Sequence, residues 1–238
     1  MEKSSERPSA DTNTRASREQ ILCGTFSRKE RWGLTWRGWL VALSLAIALT
    51  VLAGRMIHPF LAPTDRLAAR LLVVEGWSPP STMDRVAAEF RSGNYDQVIF
   101  IRPIFDAPDE YESGLSYGKW LAQLLITKGV PESKLATLYP KVAQKDRTYH
   151  AALTVRHYLA ENHFNLDALN LITTGPHARR SRLLYEKAFA PQVKIGIIAV
   201  EEKQYDSRHW WRTSAGVREV IGETIAYLYA RLFFRAAA

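Results

Sequence analysis

Cysteine is almost absent from this chain: one residue in 238, Cys23. A single thiol excludes an internal disulfide and leaves everything downstream of it with nothing to misoxidise, which suits an exported domain without requiring one. Several signatures are also missing. There is no Walker loop, no G-x-G-x-x-G and no nucleophile elbow, so the usual sequence marks of nucleotide-binding and hydrolase chemistry do not occur. No basic run with interleaved aromatics is present, and nucleic acid is excluded as a partner on that ground. Residues 1–37 are poor in apolar side chains until Ile21. Such a stretch cannot bury enough surface to offset its chain entropy, and a disordered basic tail is expected there.

Charge is lacking altogether from Gly38 to Gly54, where Ser44 and Thr50 are the only polar side chains. As a helix this stretch spans about 26 Å, close to the thickness of a hydrocarbon core. Trp32 and Trp36 precede it and Trp39 opens it, where interfacial aromatics belong. A buried soluble helix would need covering partners, and the tail offers none. A cleaved signal peptide would need a small-x-small site, but Arg55-Met56-Ile57 follows. An uncleaved anchor over 38–57 is the better reading. Arg28, Lys29, Arg31 and Arg37 crowd its N-terminal flank, against Arg55, Arg66 and Arg70 beyond it. The positive-inside rule then keeps the tail in the cytoplasm and sends the rest outward, to the periplasmic side of a bacterial inner membrane.

The formal net charge is +8, of which the tail supplies eight basic and five acidic residues. The remainder keeps a mild basic excess, which suits an anionic ligand or membrane surface. From residue 65 onward, strand and helix signals alternate. Leu71–Val74 and Val98–Ile101 are continuous apolar runs of the kind buried on both faces of a parallel sheet. Further strands are expected over Leu135–Tyr139, Leu169–Thr174 and Val193–Val200. Helices are expected after Pro79-Pro80, up to Lys128, after Asp146, after Gly175-Pro176, and from Ser214 to about Phe234. The pattern predicts a Rossmann-like three-layer α/β/α domain over 65–238, with a five-stranded, mainly parallel sheet. Right-handed crossovers place the loops after the strands on one edge. If the strand order is 3-2-1-4-5, the ligand crevice lies between strands one and four, where Glu75-Gly76-Trp77 meets Thr174-Gly175-Pro176-His177.

Three constellations could carry chemistry. In Thr173-Thr174-Gly175-Pro176-His177-Ala178-Arg179-Arg180, a strand turns through glycine into a helix whose first turn bears a histidine. Its free N–H groups favour an anion, Arg179 or Arg180 could grip phosphate or carboxylate, and His177 could act as general acid or base. A capped helix with a solvated basic face explains the same residues equally well. Asp146-Arg147-Thr148-Tyr149-His150 offers a polar cup at another helix start, with N-capping by Asp146 as the plain alternative. Glu75, ending a buried strand, must be paired or used, with Arg85 or Arg102 as pairing candidates. Glu110 opens the second helix and either serves the helix dipole or orients a substrate hydroxyl. His150 and His157 share a face, but no third ligand stands at metal spacing, so no metal is expected. His209-Trp210-Trp211-Arg212, Glu219 and Glu223 lie near the last helix, the tryptophans either covering the crevice or resting on a bilayer.

Taken in order, these motifs resemble the SanA/ElyC/YdcF family of bacterial envelope proteins. The resemblance runs from about Leu71 to Arg231. It rests on the strand-one glycine loop with Arg85 downstream, an acidic residue opening helix two followed by Lys128-Gly129-Val130-Pro131, the Thr148 helix start, and Thr173 through Ser181. Departures are Glu75-Gly76-Trp77-Ser78 for a glycine-rich turn, Arg102-Pro103-Ile104 for Ser-Gly-Gly, and Tyr149-His150 for Glu-Asn. The resemblance implies a Rossmann-like fold and a role in envelope integrity or cell-wall precursor metabolism, touching lipid-linked substrates. The expected activity is binding, with or without processing, of an anionic phosphorylated envelope precursor. His177 with Glu75 or Glu110 would do the acid–base work, and Arg85, Arg147 and Arg179 would hold the anion. Two alternatives stay open. One is a non-enzymatic assembly protein. The other is binding of a nucleotide-like cofactor such as S-adenosylmethionine, which predicted export disfavours.

Overall fold

The computed structural model describes residues 20–21, 26–27, 34–76, 79–101, 117–140, 145–201 and 203–236. The chain divides into two compact parts, Met1–Ile47 and Ala48–Ala238. In the first, Gln20–Ile21 pairs antiparallel with Phe26–Ser27. Helix α1, Trp36–Leu61, begins in the first part and ends in the second. Its 26 residues reach about 39 Å at 1.5 Å per residue. Leu40, Val41, Leu43, Leu45, Ile47, Leu49 and Leu52 are all more than half exposed. A helix apolar all round and uncovered by protein is long and greasy enough to cross a bilayer. It outruns the expected 38–57 span by one turn. The additional turn is used by the domain: His58 and Leu61 are buried there.

The second part is a three-layer α/β/α domain. Among the described residues its five strands are β1 (Leu71–Glu75), β2 (Gln97–Ile101), β3 (Leu135–Leu138), β4 (Ala168–Thr174) and β5 (Lys194–Val200). All pair in parallel in the order β3-β2-β1-β4-β5, the arrangement that the alternating pattern allowed. The described α-helices are α2 (Thr82–Ser92), α3 (Tyr117–Thr127), α4 (Arg147–Glu161), α5 (His177–Phe189) and α6 (Ser214–Leu232). Side chains alternate across the sheet, as the two-residue period of a strand requires. Val73, Ile99, Leu171 and Ile197 meet Val155 of α4 and Leu184 and Tyr185 of α5. Leu72, Val74, Phe100 and Ile198 meet Met83 and Val86 of α2 and Leu121 and Leu125 of α3. Each such fully buried side chain contributes on the order of 1.5–3 kcal/mol.

The segment after α1 is stitched to the sheet. Asp65 exchanges two backbone hydrogen bonds with Ile197, at 2.7 and 2.9 Å, and so covers part of the β5 edge. Arg66 pairs two-pronged with the buried Glu89, which also accepts from Tyr95 Oη. Asn170, buried in β4, accepts from Leu67 N at 2.9 Å and donates to Leu67 O and Tyr95 Oη. A buried amide in a central strand is tolerable because its hydrogen-bonding capacity is used. Its neighbour across the ladder must then be glycine: a Cβ on Gly196 would lie 2.0 Å from Asn170 Oδ1. A third small cluster, Leu61, Tyr205, Trp210 and Val220 with Ile57 and Tyr227, joins the end of α1 to α6.

Candidate functional site

The loops that follow β1 and β4 meet because those strands are neighbours in the sheet. After β4, the backbone turns through Gly175, whose φ of +44° favours glycine. Pro176 takes the N-cap position of α5, and His177 opens the helix. From there the imidazole reaches two carboxylates. Its Nδ1 lies 2.9 Å from Glu223 Oε1, on α6. Its Nε2 faces Glu75 Oε2, at the end of β1, at 3.5 Å. Glu75 is buried and accepts a 2.8 Å hydrogen bond from Ser181 Oγ, one turn further along α5. Arg180 completes the group: Nε and Nη2 donate to the two oxygens of Glu223 at 2.8 and 2.9 Å, and Nη1 reaches Thr148 Oγ1.

The electrostatics follow from this clasp. Burial disfavours the Glu223 carboxylate, but the hydrogen bonds from His177 and Arg180 outweigh it and hold the group well below the usual carboxylate range. Burial likewise opposes the Arg180 charge, and Glu223 more than restores it, with Glu75 and Glu219 adding to the effect. Arg180 Nη2 also approaches His177 Nδ1 at 2.8 Å. An arginine can only donate. A ring that accepts from Arg180 therefore carries its proton on Nε2, facing Glu75. A neutral ring that donates to Glu223 leaves Nε2 as an acceptor, whereas a protonated ring donates from both nitrogens. The tautomer decides which carboxylate His177 addresses.

This cluster forms one wall of a cavity of about 690 Å³ at the C-terminal edge of the sheet. Pro79, Tyr117, Asp146, Arg147, Thr148, Thr174, Gln204 and Glu219 complete the lining. Asp146 stands at the N-cap position of α4 with a left-handed backbone, φ +53°, and its side chain makes no capping hydrogen bond. The expected capping is thus not its role. Asp146 lines the cavity instead.

The structure brings together His177, Arg180, Thr174, Asp146, Arg147 and Thr148 from the residues expected to form a site. Glu75 lies directly behind them, with Gly76 and Gly175 buried in the two turns. Others stand elsewhere. Arg179 rests over the Phe60 ring, 4.0 Å from its centroid, and donates to the Phe60 carbonyl, so it holds the end of α1 rather than an anion. Arg85 is exposed on α2, and the partners of Glu75 are Ser181 and His177 in its place. His150 is exposed on the outer side of α4, edge-on to Tyr149. Trp77, Arg102 and Glu110 lie outside the described residues. Of the tryptophans near the last helix, Trp210 is buried with Nε1 donating to Gly54 O, and Trp211 is exposed; neither lines the cavity.

With Arg179 and Arg85 elsewhere, the described wall is not basic. It sets Arg147 and Arg180 against Asp146, Glu219 and Glu223. Sequence reasoning alone does not assign Glu223, Ser181, Glu219, Gln204 or Tyr117 to the site. The one available signal is Glu219 and Glu223, an i,i+4 pair of like charges on the last helix, a costly spacing without a shared cationic partner.

No family model matches the chain, and no curated protein matches it either.

Proposed function

We propose that the domain is a membrane-tethered receptor for the polar, phosphorylated head group of a cell-envelope precursor, with His177 as the group able to move a proton. The observation that carries this reading is the imidazole held between Glu223 and Glu75 on the wall of a solvent-reachable cavity. Glu223 orients the imidazole through one nitrogen, and the buried Nε2, without a hydrogen-bond partner among the described residues, faces Glu75 at 3.5 Å, so a proton can pass between the ring and that carboxylate. The remaining wall suits a ligand rich in hydroxyls. Carboxylates of Asp146 and Glu219 accept from hydroxyls, Thr148 and Thr174 exchange hydrogen bonds with them, and Arg147 meets the anionic group. The α1 anchor supports the class of ligand, because it keeps the cavity beside lipid-linked molecules at high effective concentration. The positive flank before α1 supports a periplasmic domain and a cytoplasmic tail. The direct test is titration of the full chain in lipid nanodiscs with a soluble sugar phosphate. Binding that weakens at least tenfold in Arg147→Gln and Glu219→Gln supports the reading; equal binding by both variants removes it.

One observation favours a second reading, a non-enzymatic assembly protein. The guanidinium of Arg180 is matched to Glu223 on both prongs, so the cluster also works as a clasp between α5 and α6. Under that reading Trp211, exposed beside α6, carries the contact. Its replacement by alanine would abolish function while His177→Asn would not.

A further inference from the structure

Helix α6 is inside out. Amphipathic helices of water-soluble domains turn charge to solvent. Here Val217, Ile221, Ile225, Leu228 and Leu232, spaced four, four, three and four residues apart, are 40–68 % exposed. They form one outward stripe along the whole helix, because residues three and four apart stack on one face. Both acids of the helix, Glu219 and Glu223, point the opposite way, into the cavity wall.

Two further observations say what covers the stripe. The first is charge. Between Ser207 and Ala236 every exposed charged side chain is an arginine: Arg208, Arg212, Arg218, Arg231 and Arg235. An apolar stripe whose own segment exposes no charge but arginine fits an anionic lipid surface. The second is continuity. The start of the region is tied to the end of α1 through Trp210 Nε1 on Gly54 O at 2.8 Å. Phe60 meets Tyr227 edge-on, with centroids 5.7 Å apart. Beside these contacts, Val51, Leu52 and Met56 of α1 are exposed. The uncovered face of α6 therefore adjoins the surface of the helix able to enter a bilayer.

We infer that α6 lies on the membrane in which α1 is anchored, its apolar stripe sunk among the acyl chains and its arginines on anionic head groups. The helix then separates lipid from cavity: one face rests on the bilayer while Glu219 and Glu223 face the ligand site. This docking is independent of what the cavity binds.

The test uses the full chain with Cys23→Ser, carrying a single environment-sensitive fluorophore at Ile225→Cys or Leu232→Cys. Glu161→Cys, exposed on α4, is the reference. The protein is reconstituted in phosphatidylglycerol–phosphatidylcholine vesicles. Iodide quenching at 225 and 232 should be several-fold weaker than at 161, and quenching by nitroxide-labelled lipid several-fold stronger. The Arg218→Glu/Arg231→Glu pair should reduce the lipid quenching at 225. Iodide quenching equal to that at 161 overturns the inference. So does protection from both quenchers, which would mean that a second copy or another protein covers the stripe. Lipid quenching indifferent to the two arginines overturns the part assigned to anionic head groups.

Discussion

Arg180 and Glu223 meet on two prongs, Nε to Oε2 at 2.8 Å and Nη2 to Oε1 at 2.9 Å, and in doing so they lock α5 to α6. The same pair positions His177, since Glu223 Oε1 also serves its Nδ1. Stability and site geometry are therefore linked through one carboxylate.

Removing that carboxylate leaves a largely buried guanidinium without its partner. Glu223→Gln should cost about 3 kcal/mol, as broken buried pairs do. The pH dependence has a definite sign. The folded group titrates below its ordinary value of 4.5, so the fold favours the ionised form. The stabilisation is present in full above that value and is lost as pH falls through the depressed one. Denaturant midpoints of wild type and Glu223→Gln should thus differ most near neutrality and converge in acid. A constant gap down to acid pH would contradict the assignment.

Tyr185 tests the opposite case. It is fully buried between α5 and the sheet, and its hydroxyl has no hydrogen-bond partner among the described residues. Burial, and then Glu75, push its phenol well above the usual 10. An unpaired buried hydroxyl costs roughly 1–3 kcal/mol. Tyr185→Phe should accordingly be neutral or raise stability by about 1 kcal/mol in chemical denaturation, whereas loss of a kilocalorie or more would show that the hydroxyl is used.

At Gly196 the close approach of Asn170 leaves no room for a methyl group. Because Asn170 is held by Leu67 and Tyr95, it cannot step aside cheaply. Gly196→Ala should destabilise the domain by about 2 kcal/mol, the range expected of overpacking. The double variant Gly196→Ala/Asn170→Ala should behave non-additively in the same unfolding experiment, since the clash is then gone.

The fold was legible in the sequence where burial is two-sided. Leu71–Val74 and Val98–Ile101 have no polar position to lose, so only a covered parallel sheet suits them. Gly93, Gly129 and Gly175 marked element ends for the same local reason, that a turn is cheapest there. His177 and Arg180 were readable because a strand, a glycine and a helix start follow one another. Their partners were not. Glu223 is separated from His177 by 46 residues, and no local pattern says that α6 comes back across the C-terminal edge of the sheet. Neighbouring arginines misled for a related reason: Arg179 and Arg180 are adjacent, but one position along a helix rotates a side chain by about 100°, which sends Arg179 to Phe60 and Arg180 to the cavity.

Orientation across the membrane is predicted by the arginines and lysine before α1. An alkaline phosphatase fused after Ala236 should be active in a Gram-negative host, and a green fluorescent protein in its place should be dark, because the latter folds poorly outside the cytoplasm. The reverse pair of results would put the cavity inside the cell, and with it the alternative of a cytoplasmic cofactor.

The cavity beside His177 is proposed to hold the head group of a membrane-derived ligand. Native mass spectrometry of the full chain, released from membranes in mild detergent, tests it most directly. A bound species of lipid mass whose fragments include phosphate is expected, retained by wild type and by Arg85→Gln but lost in Arg147→Gln and Glu219→Gln. A bare protein mass, or an adduct that survives both cavity substitutions, would contradict it.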